Sequence, residues 1–487
     1  MEFTEKIKDD LISKLRDLIG QQKIIAVREL QEEYPVADFA EAIETLSTTE
    51  QIYVLRVLKT AEAAEVFSYF EDDVKTKLVE SLSNDEDIMN ILQNLQTDEL
   101  VDVLEELPVN IMKRIISETP VEKRDKINSL LAYNDDQVGS IMSVDISTLH
   151  GKWTTKKAIA KIKRDYQKKI ELAHNFYIVD ENGILLGDIT LEELIFANDE
   201  DAKLEEIYNV VASVYTVDDK EEAARVFADH DRSSLPVVSK EKRLIGMITA
   251  DDVIDVIQEE ATEDMYKMAG INPDAAEENY LKTTIMSIVK SRVLWLIILM
   301  LSATMSQFVI QKFTDISEDV IKGLGVTIST AIIVSLIPII SGSAGNAGSQ
   351  SSTTITRAAA LGEIERKDVK KVIFKEISVG TIIGVIMFII NIARLYIYFA
   401  IPSFKDGDTE WGPLSFVIIA SSFSLFIVVI FSKFLGTIIP IVAIRMKKDP
   451  AVMSAPILTT LSDALSTLIF FALNIGVLTL ASHFGWI

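Results

Sequence analysis

Two hydrophobic patterns divide the chain near residue 273. In the C-terminal part apolar residues come in long runs, and about 20 mostly apolar residues let a helix cross a bilayer. Five such runs occupy roughly residues 292–312, 321–345, 376–401, 413–444 and 453–483. The last two are long enough to tilt or to project into water. In the N-terminal part the runs are short and amphipathic. TEQIYVLRVLKT, AEAAEVFSYF, VKTKLVESL and TDELVDVLEELP place apolar residues at i, i+3, i+4 and i+7, the period of a helix with one buried face. Their regular spacing over residues 1–133 predicts an all-α superhelical stack.

Between 136 and 258 the pattern repeats itself. FYIVDENGILLGDITLEELI (176–195) aligns without gaps on LPVVSKEKRLIGMITADDVI (235–254), at an offset of 59 residues. Gly187 and Gly246, Ile189 and Ile248, and Thr190 and Thr249 coincide. Each unit reads as two strands across a turn, then a helix with a Thr N-cap and acids in its first turn. This is the pattern of tandem cystathionine-β-synthase-type (CBS) domains, pairs of which often bind adenosine nucleotides and regulate an attached module.

Charge sharpens the division. The 487 residues carry a net −25, but residues 1–273 hold 58 acidic against 31 basic side chains, whereas residues 274–487 hold 15 against 17. An acidic surface excludes nucleic acid as a natural partner, because phosphates need cations, and suits cations. The absence of cysteine rules out disulfides and thiolate metal sites. The charged start, MEFTEKIKDD, does not read as a signal peptide. Four scattered histidines, with no nucleophile elbow and no P-loop, argue against an enzyme.

The short connections carry an orientation code. Lys290 and Arg292 precede the first run. Arg357, Arg366, Lys367, Lys370, Lys371 and Lys375 lie between the second and third, and Arg445, Lys447 and Lys448 between the fourth and fifth. The other connections carry Asp315, Glu318, Asp319 and Asp406, Asp408, Glu410. Five spans then place the acidic N-terminal half in the cytoplasm and the C-terminus outside.

Three features stand out in this frame. SGSAGNAGSQSSTTITR (341–357) follows an apolar run with Gly342, Gly345 and Gly348 among hydroxyls and the amides Asn346 and Gln350. It reads as a glycine-rich break at membrane depth, tolerated where protein or a water-filled cavity satisfies the backbone. Close helix packing through small residues is the plainer alternative, expected also of Gly380 and Gly384; a hydrated ion would use the amides. Asp463 is the only acid after Asp449 and stands about 21 Å along a continuous helix at ~1.5 Å per residue. An acid there is either hydrogen-bonded or protonated, or it marks an ion or proton pathway. Pro456 would free a carbonyl beside the same path. Lastly, Asp252, Asp255 and Glu259 share one helix face, a solvated surface or a cation site, with a second supply of acid at Asp98 and Asp102. Arg394, near a helix end, is expected to snorkel, and Lys433 has no evident partner.

Taken together, IPIISGSAGNAGSQSSTTITRAAA, KDPAVMSAPILTTLSDALSTLIF and DDVIDVIQEEATEDMYKMAGI resemble the MgtE magnesium channels, over nearly the whole chain. The resemblance implies a multi-domain membrane protein. Its parts would be an acidic helical N domain (1–133), tandem CBS domains (134–258, about 134–197 and 198–258), a connecting plug helix (259–290, the helix itself about 262–290) and a five-helix transmembrane domain (291–487). It implies a homodimer with one pore on its two-fold axis, Mg2+ as the ion, and a place in the cytoplasmic membrane. Asp463 would be the pore acid, with Gly345, Asn346, Gly348 and Gln350 lining the same site. Regulatory Mg2+ sites would fall on Asp98, Asp102, Asp219, Glu221, Asp252, Asp255, Glu260, Glu263 and Asp264.

Two departures qualify the resemblance. The family's nucleotide site uses an Arg-Asp pair where this chain has Glu192 and Glu193, two carboxylates that would repel a phosphate chain, so ATP binding is not expected. A pore-helix asparagine of the family is Ala455 here. The leading expectation is a Mg2+-selective influx channel closed by intracellular Mg2+. The alternatives are a transporter coupled to Na+ or exporting Mg2+, which a dedicated coupling site would favour and a single intramembrane acid does not, and a non-conducting membrane Mg2+ sensor.

Overall fold

The computed structural model describes residues 2–486 except 83–85, 168–173, 198, 200, 231, 274–279, 282, 326–327, 361–362, 365–366, 402–403, 405–409 and 447, with backbone alone at 2–7, 360 and 452–457. The expectations at Ala455, Pro456, Arg366, Lys447, Asp406 and Asp408 therefore lie outside the described side chains or residues. The chain forms two compact units, residues 1–257 and 258–487.

The first unit begins with ten described helices, from α1 (Glu2–Gly20) to α10 (Val121–Leu130), among them α6 (Asp72–Ser81) and α8 (Thr97–Glu105). Local sequence signals start them. Ser47 and Glu50 form a capping box before Thr48, and Pro35, Pro108 and Pro120 stand immediately before three of the helices, where a missing N–H costs nothing. Apolar faces meet in one core containing Phe39, Ile43, Phe67, Leu78 and Leu104, each fully buried side chain stabilising by about 1.5–3 kcal/mol.

Two small sheets follow, β1-β2-β3 and β4-β5-β6. They are built from β1 (Thr148–His150), β2 (Asn175–Val179), β3 (Leu185–Thr190), β4 (Val214–Tyr215), β5 (Ser234–Val238) and β6 (Leu244–Thr249). The repeat read from sequence is reproduced in register: Phe176 pairs Ile189 as Leu235 pairs Ile248. The matched glycines serve close backbone approach. A Cβ on Gly187 would meet the Asn209 carbonyl oxygen at 2.1 Å, and one on Gly246 that of Ser143 at 2.5 Å. The sheets carry α11 (Thr155–Gln167), α12 (Leu191–Ile195), α13 (Leu204–Ile207) and α14 (Lys220–Asp229), and β6 leads into α15 (Ala250–Met268).

In the second unit the single connecting helix expected over about 262–290 is divided. Helix α15 ends at Met268, Gly270 turns the chain at φ 70°, and the next described helix starts at Ile285. Glycine is the residue that adopts this left-handed conformation without steric cost. Five long helices follow: α16 (Ile285–Leu324), α17 (Thr330–Ala360), α18 (Val369–Ala400), α19 (Trp411–Arg445) and α20 (Pro450–His483). All five are long and apolar enough to cross a membrane. Helix α19 is the most enclosed, with Leu414, Val417, Leu425 and Val428 in its core. None of the residues in the apolar window of α16 is buried.

Candidate ion pathway and regulatory carboxylates

The Gly-rich stretch is not a break. Helix α17 runs continuously from Thr330 to Ala360, which overturns the sequence reading of an interrupted second span. The reason is packing: Ala344, Ala347, Gly348, Ser351 and Ser352 are buried and let α17 approach its neighbours closely. A Cβ on Gly436 of α19 would lie 2.1 Å from the Gly348 carbonyl oxygen, and one on Gly348 would lie 3.2 Å from both the Ser432 carbonyl oxygen and Leu458.

The opposite face of α17 is polar and exposed. Gly342, Asn346, Ser349, Gln350, Thr353, Thr354 and Arg357 form one stripe at helical spacing. Asn346 and Gln350 thus lie on the stripe, Gly348 on the packed face, and Gly345 between them, half-buried. Asp463 is half-buried on α20, about 20 Å from its start at ~1.5 Å per residue. Gly348 and Leu458 share a level, so Asp463, five residues beyond Leu458 on a helix that runs the other way, lies about level with Ser343, between Gly342 and Gly345. Exposed polar groups at that depth must be covered by protein or water.

In the first unit acids of α8 and α15 come together. Asp98 and Asp102 lie one turn apart on α8. The surrounding protein withdraws water from Asp102, although one side stays open to solvent. With the repulsion of Glu105, Asp72 and Asp252, against the pull of Lys75, this raises its carboxyl to about 7. Burial likewise raises the Asp252 carboxyl, as do Asp251 and Asp255, opposed by hydrogen bonds from Thr249. The structure therefore brings Asp102, Asp252 and Asp255 into one electrostatic neighbourhood. Asp219 and Glu221 stand at the start of α14, where the Asp219 carboxylate accepts from the Glu221 N–H at 2.9 Å and caps the helix. Glu260, Glu263 and Asp264 lie farther along α15. Among the described residues no three acids or histidines stand close enough to hold a bare metal ion.

Sequence reasoning missed several partners. Asp145 accepts from the Thr97 N–H at 2.8 Å and pairs with Lys126 at 2.7 Å, tying the start of α8 to α10. Lys267 bridges Glu263 and Asp449, the latter at 2.7 Å. Asp449 also caps α20, accepting from the Ala451 N–H at 2.7 Å. Burial raises the neighbouring Asp264 carboxyl, and Asp449 adds to the shift. Arg394, exposed on α18, donates to Asn391, at 2.8 Å from Nη2. Lys433 has partners after all, Ser351 and Glu376; Glu376 is a second acid inside the helical bundle, which a solitary reading of Asp463 overlooked. Glu193 closes the capping box of α12 and accepts from Asn209 at 2.9 Å, and Glu192 pairs with His174 at 3.2 Å.

Three family models match the chain: MgtE, described as a divalent cation transporter, over 337–473; the MgtE intracellular N domain over 34–136; and the CBS domain over 138–200 and 207–259. A magnesium transporter MgtE of Enterococcus faecalis is 30% identical over 351 residues, covering 72% of this chain and 71% of that protein. The chain belongs to the MgtE family. The MgtE magnesium transporter of Thermus thermophilus is 28% identical over 470 residues, covering 96% of this chain and 98% of the relative. A crystal structure of the cytosolic domain of the Mg2+ channel MgtE in complex with ATP is 30% identical, covering 50% of this chain and 99% of that one, with a TM-score of 0.46. MgtE members are named transporters rather than enzymes. With five spanning helices the chain is a multi-pass membrane protein that joins an all-helical N-terminal domain and a CBS pair to a transmembrane domain.

Proposed function

We propose that the chain is a Mg2+-selective channel that admits Mg2+ to the cytoplasm and is closed by intracellular Mg2+. The observation that carries the pathway is the exposed polar stripe of α17 at the depth of Asp463. Mg2+ dehydrates reluctantly and is usually held through one or two carboxylates and several waters. A second copy related by a two-fold axis covers the stripe and brings a second Asp463 to the same ion. Asn346, Gln350 and the Gly345 and Gly348 backbone then face or flank the hydrated ion. The cationic connections at Arg357, Lys370, Lys371 and Arg445 support a cytoplasmic soluble part.

Closure uses the acidic patch. Without divalent cations Asp98, Asp102, Asp219, Glu221, Asp252, Asp255, Glu260, Glu263 and Asp264 repel. Hydrated Mg2+ bridges them through water, which fits the wide spacing of the acids, and α15 with the segment to Ile285 acts as the plug. Glu192 and Glu193 are committed to local pairs and oppose phosphate, so this CBS pair does not take ATP there.

Replacing Asp463 by Ala is the direct test. Mg2+ uptake is lost while the protein still assembles; a variant that restores growth of an uptake-deficient strain at normal efficiency sinks the pathway. Flux recorded with Mg2+ on each side, with and without Na+, separates a channel from a coupled transporter.

A further inference from the structure

Lys433 and Glu376 are charged side chains inside the helix bundle that the ion pathway does not use. Lys433 is 4% exposed. Its Nζ donates to Ser351 Oγ at 3.1 Å and lies 3.5 Å from Glu376 Oε2, and the Ser351 hydroxyl donates to the same carboxylate oxygen at 2.6 Å. One serine of α17 is thereby tied to α18 and α19 together. The fold makes room for this lysine: a Cβ on Gly380 would stand 3.3 Å from Lys433 Cδ, so the stem runs through a notch that glycine leaves.

Holding helices together does not require such a pair. Apolar residues of similar volume are often as stabilising as a buried ion pair, and the best-attested use of buried polar contacts is to fix register. Register is least fixed in the middle of α17. Between the large buried side chains of Ile333, Leu336, Ile337 and Ile340 on one side and Ile355 on the other, its packed face is Ala344, Ala347, Gly348, Ser351 and Ser352, small residues that oppose rotation weakly. A rotation by one residue, about 100° at ~3.6 residues per turn, would bring Ala347 to where Asn346 now stands. We propose that Glu376 and Lys433 are positioning residues, which through Ser351 set the rotation of α17 and so decide which of its side chains line the ion pathway. This rests on the pathway reading above.

The protein has no cysteine, so single cysteines report without background. In membrane vesicles, Asn346→Cys is labelled by a cationic methanethiosulfonate and Ala347→Cys is not. No labelling at 346 in the otherwise native chain overturns the pathway reading and this proposal with it. The pair is then neutralised as Glu376→Gln with Lys433→Met, which leaves no lone buried charge. Labelling at 346 slows about fivefold or more, labelling appears at 347, and Mg2+ flux of the neutralised protein with Asn346 intact falls about tenfold. A neutralised protein that assembles, labels as the native chain does and conducts within about twofold of it overturns the positioning role while leaving the pathway standing. Where the neutralised protein fails to assemble, Ser351→Ala decides. It removes the link to α17 and keeps the ion pair; labelling at 346 slows about threefold, and an unchanged rate overturns the proposal.

Discussion

Lys267 Nζ lies 2.7 Å from Asp449 Oδ2, joining the last turn of α15 to the N-cap of α20, the helix that carries Asp463. The two oxygens of Asp449 are divided between tasks: Oδ1 accepts from the Ala451 N–H and Oδ2 meets Lys267. Asp449→Asn keeps a good N-cap and loses the charge, whereas Asp449→Ala loses both. The alanine variant should be less stable than the asparagine variant by about 1 kcal/mol, the usual worth of an N-cap. Thermal unfolding of the purified protein checks this, and equal stability of the two variants would remove the capping role. Lys267→Met should cost at most about 1 kcal/mol, since its pairs are partly exposed.

Gly436 and Gly342 make opposite forecasts from the same residue type. A Cβ at 436 meets the Gly348 carbonyl oxygen at 2.1 Å, while one at 342 meets nothing within 4 Å. Gly436→Ala should destabilise by about 1–3 kcal/mol or more through overpacking and lower the yield of folded protein. Gly342→Ala should fold normally. Fluorescence-detected size exclusion distinguishes them, and a Gly436→Ala protein that elutes at native level would refute the close α17–α19 contact.

The acidic patch has a pH signature. The carboxyls of Asp102, Glu105 and Asp252 lie above the ordinary range, Asp102 reaching about 7. A raised carboxyl contributes stability that is full below the unfolded value of about 3.9–4.3 and lost as pH rises through the folded value. Without divalent cations the first unit should therefore lose on the order of 1 kcal/mol between pH ~4 and ~7, the exposure of Asp102 keeping the figure modest. Asp145, held low by Lys126 and Thr97 against its burial, acts in the opposite sense and only at pH below ~3.9, outside this window. Thermal melts in EDTA at both ends of the window test the direction. Millimolar Mg2+ at the upper end should restore stability, and Na+ at equal ionic strength should not.

Gating should respond to the same residues. Asp98→Asn, Asp252→Asn and Asp255→Asn together remove both repulsion and bridging. In the proposed gate bridging supplies the closing energy, and loss of repulsion removes only a penalty. The triple variant should stay open at Mg2+ levels that close the native protein and should remain protease-sensitive there. A triple variant that closes normally would take these residues out of the gate.

ATP should not bind the first CBS domain tightly. Glu193 is engaged by Thr190 and Asn209, and Glu192 by His174. Calorimetry on the purified full chain should show no saturable heat at physiological ATP, and tight binding independent of Mg2+ would reverse the conclusion.

Periodicity by itself was enough for the helical stack, for five spans and for the repeat, because each element's pattern is local: 3.6 residues along Thr97–Glu105, a shared 59-residue offset between β2-β3 and β5-β6. Asp463 was legible for the same reason, since one acid in a long apolar run is visible without a structure. What the sequence could not decide were matters of which helices touch. Glycines at 342, 345 and 348 read first as a break and only second as packing, and the Gly436 backbone against Gly348 settled packing. Lys433 gained Ser351 and Glu376 from helices 82 and 57 residues earlier, and Asp252 gained Asp102 from another domain. Charge partners so distant along the chain leave no periodic trace. Their meeting is fixed by the packing of whole helices, which tertiary structure alone decides.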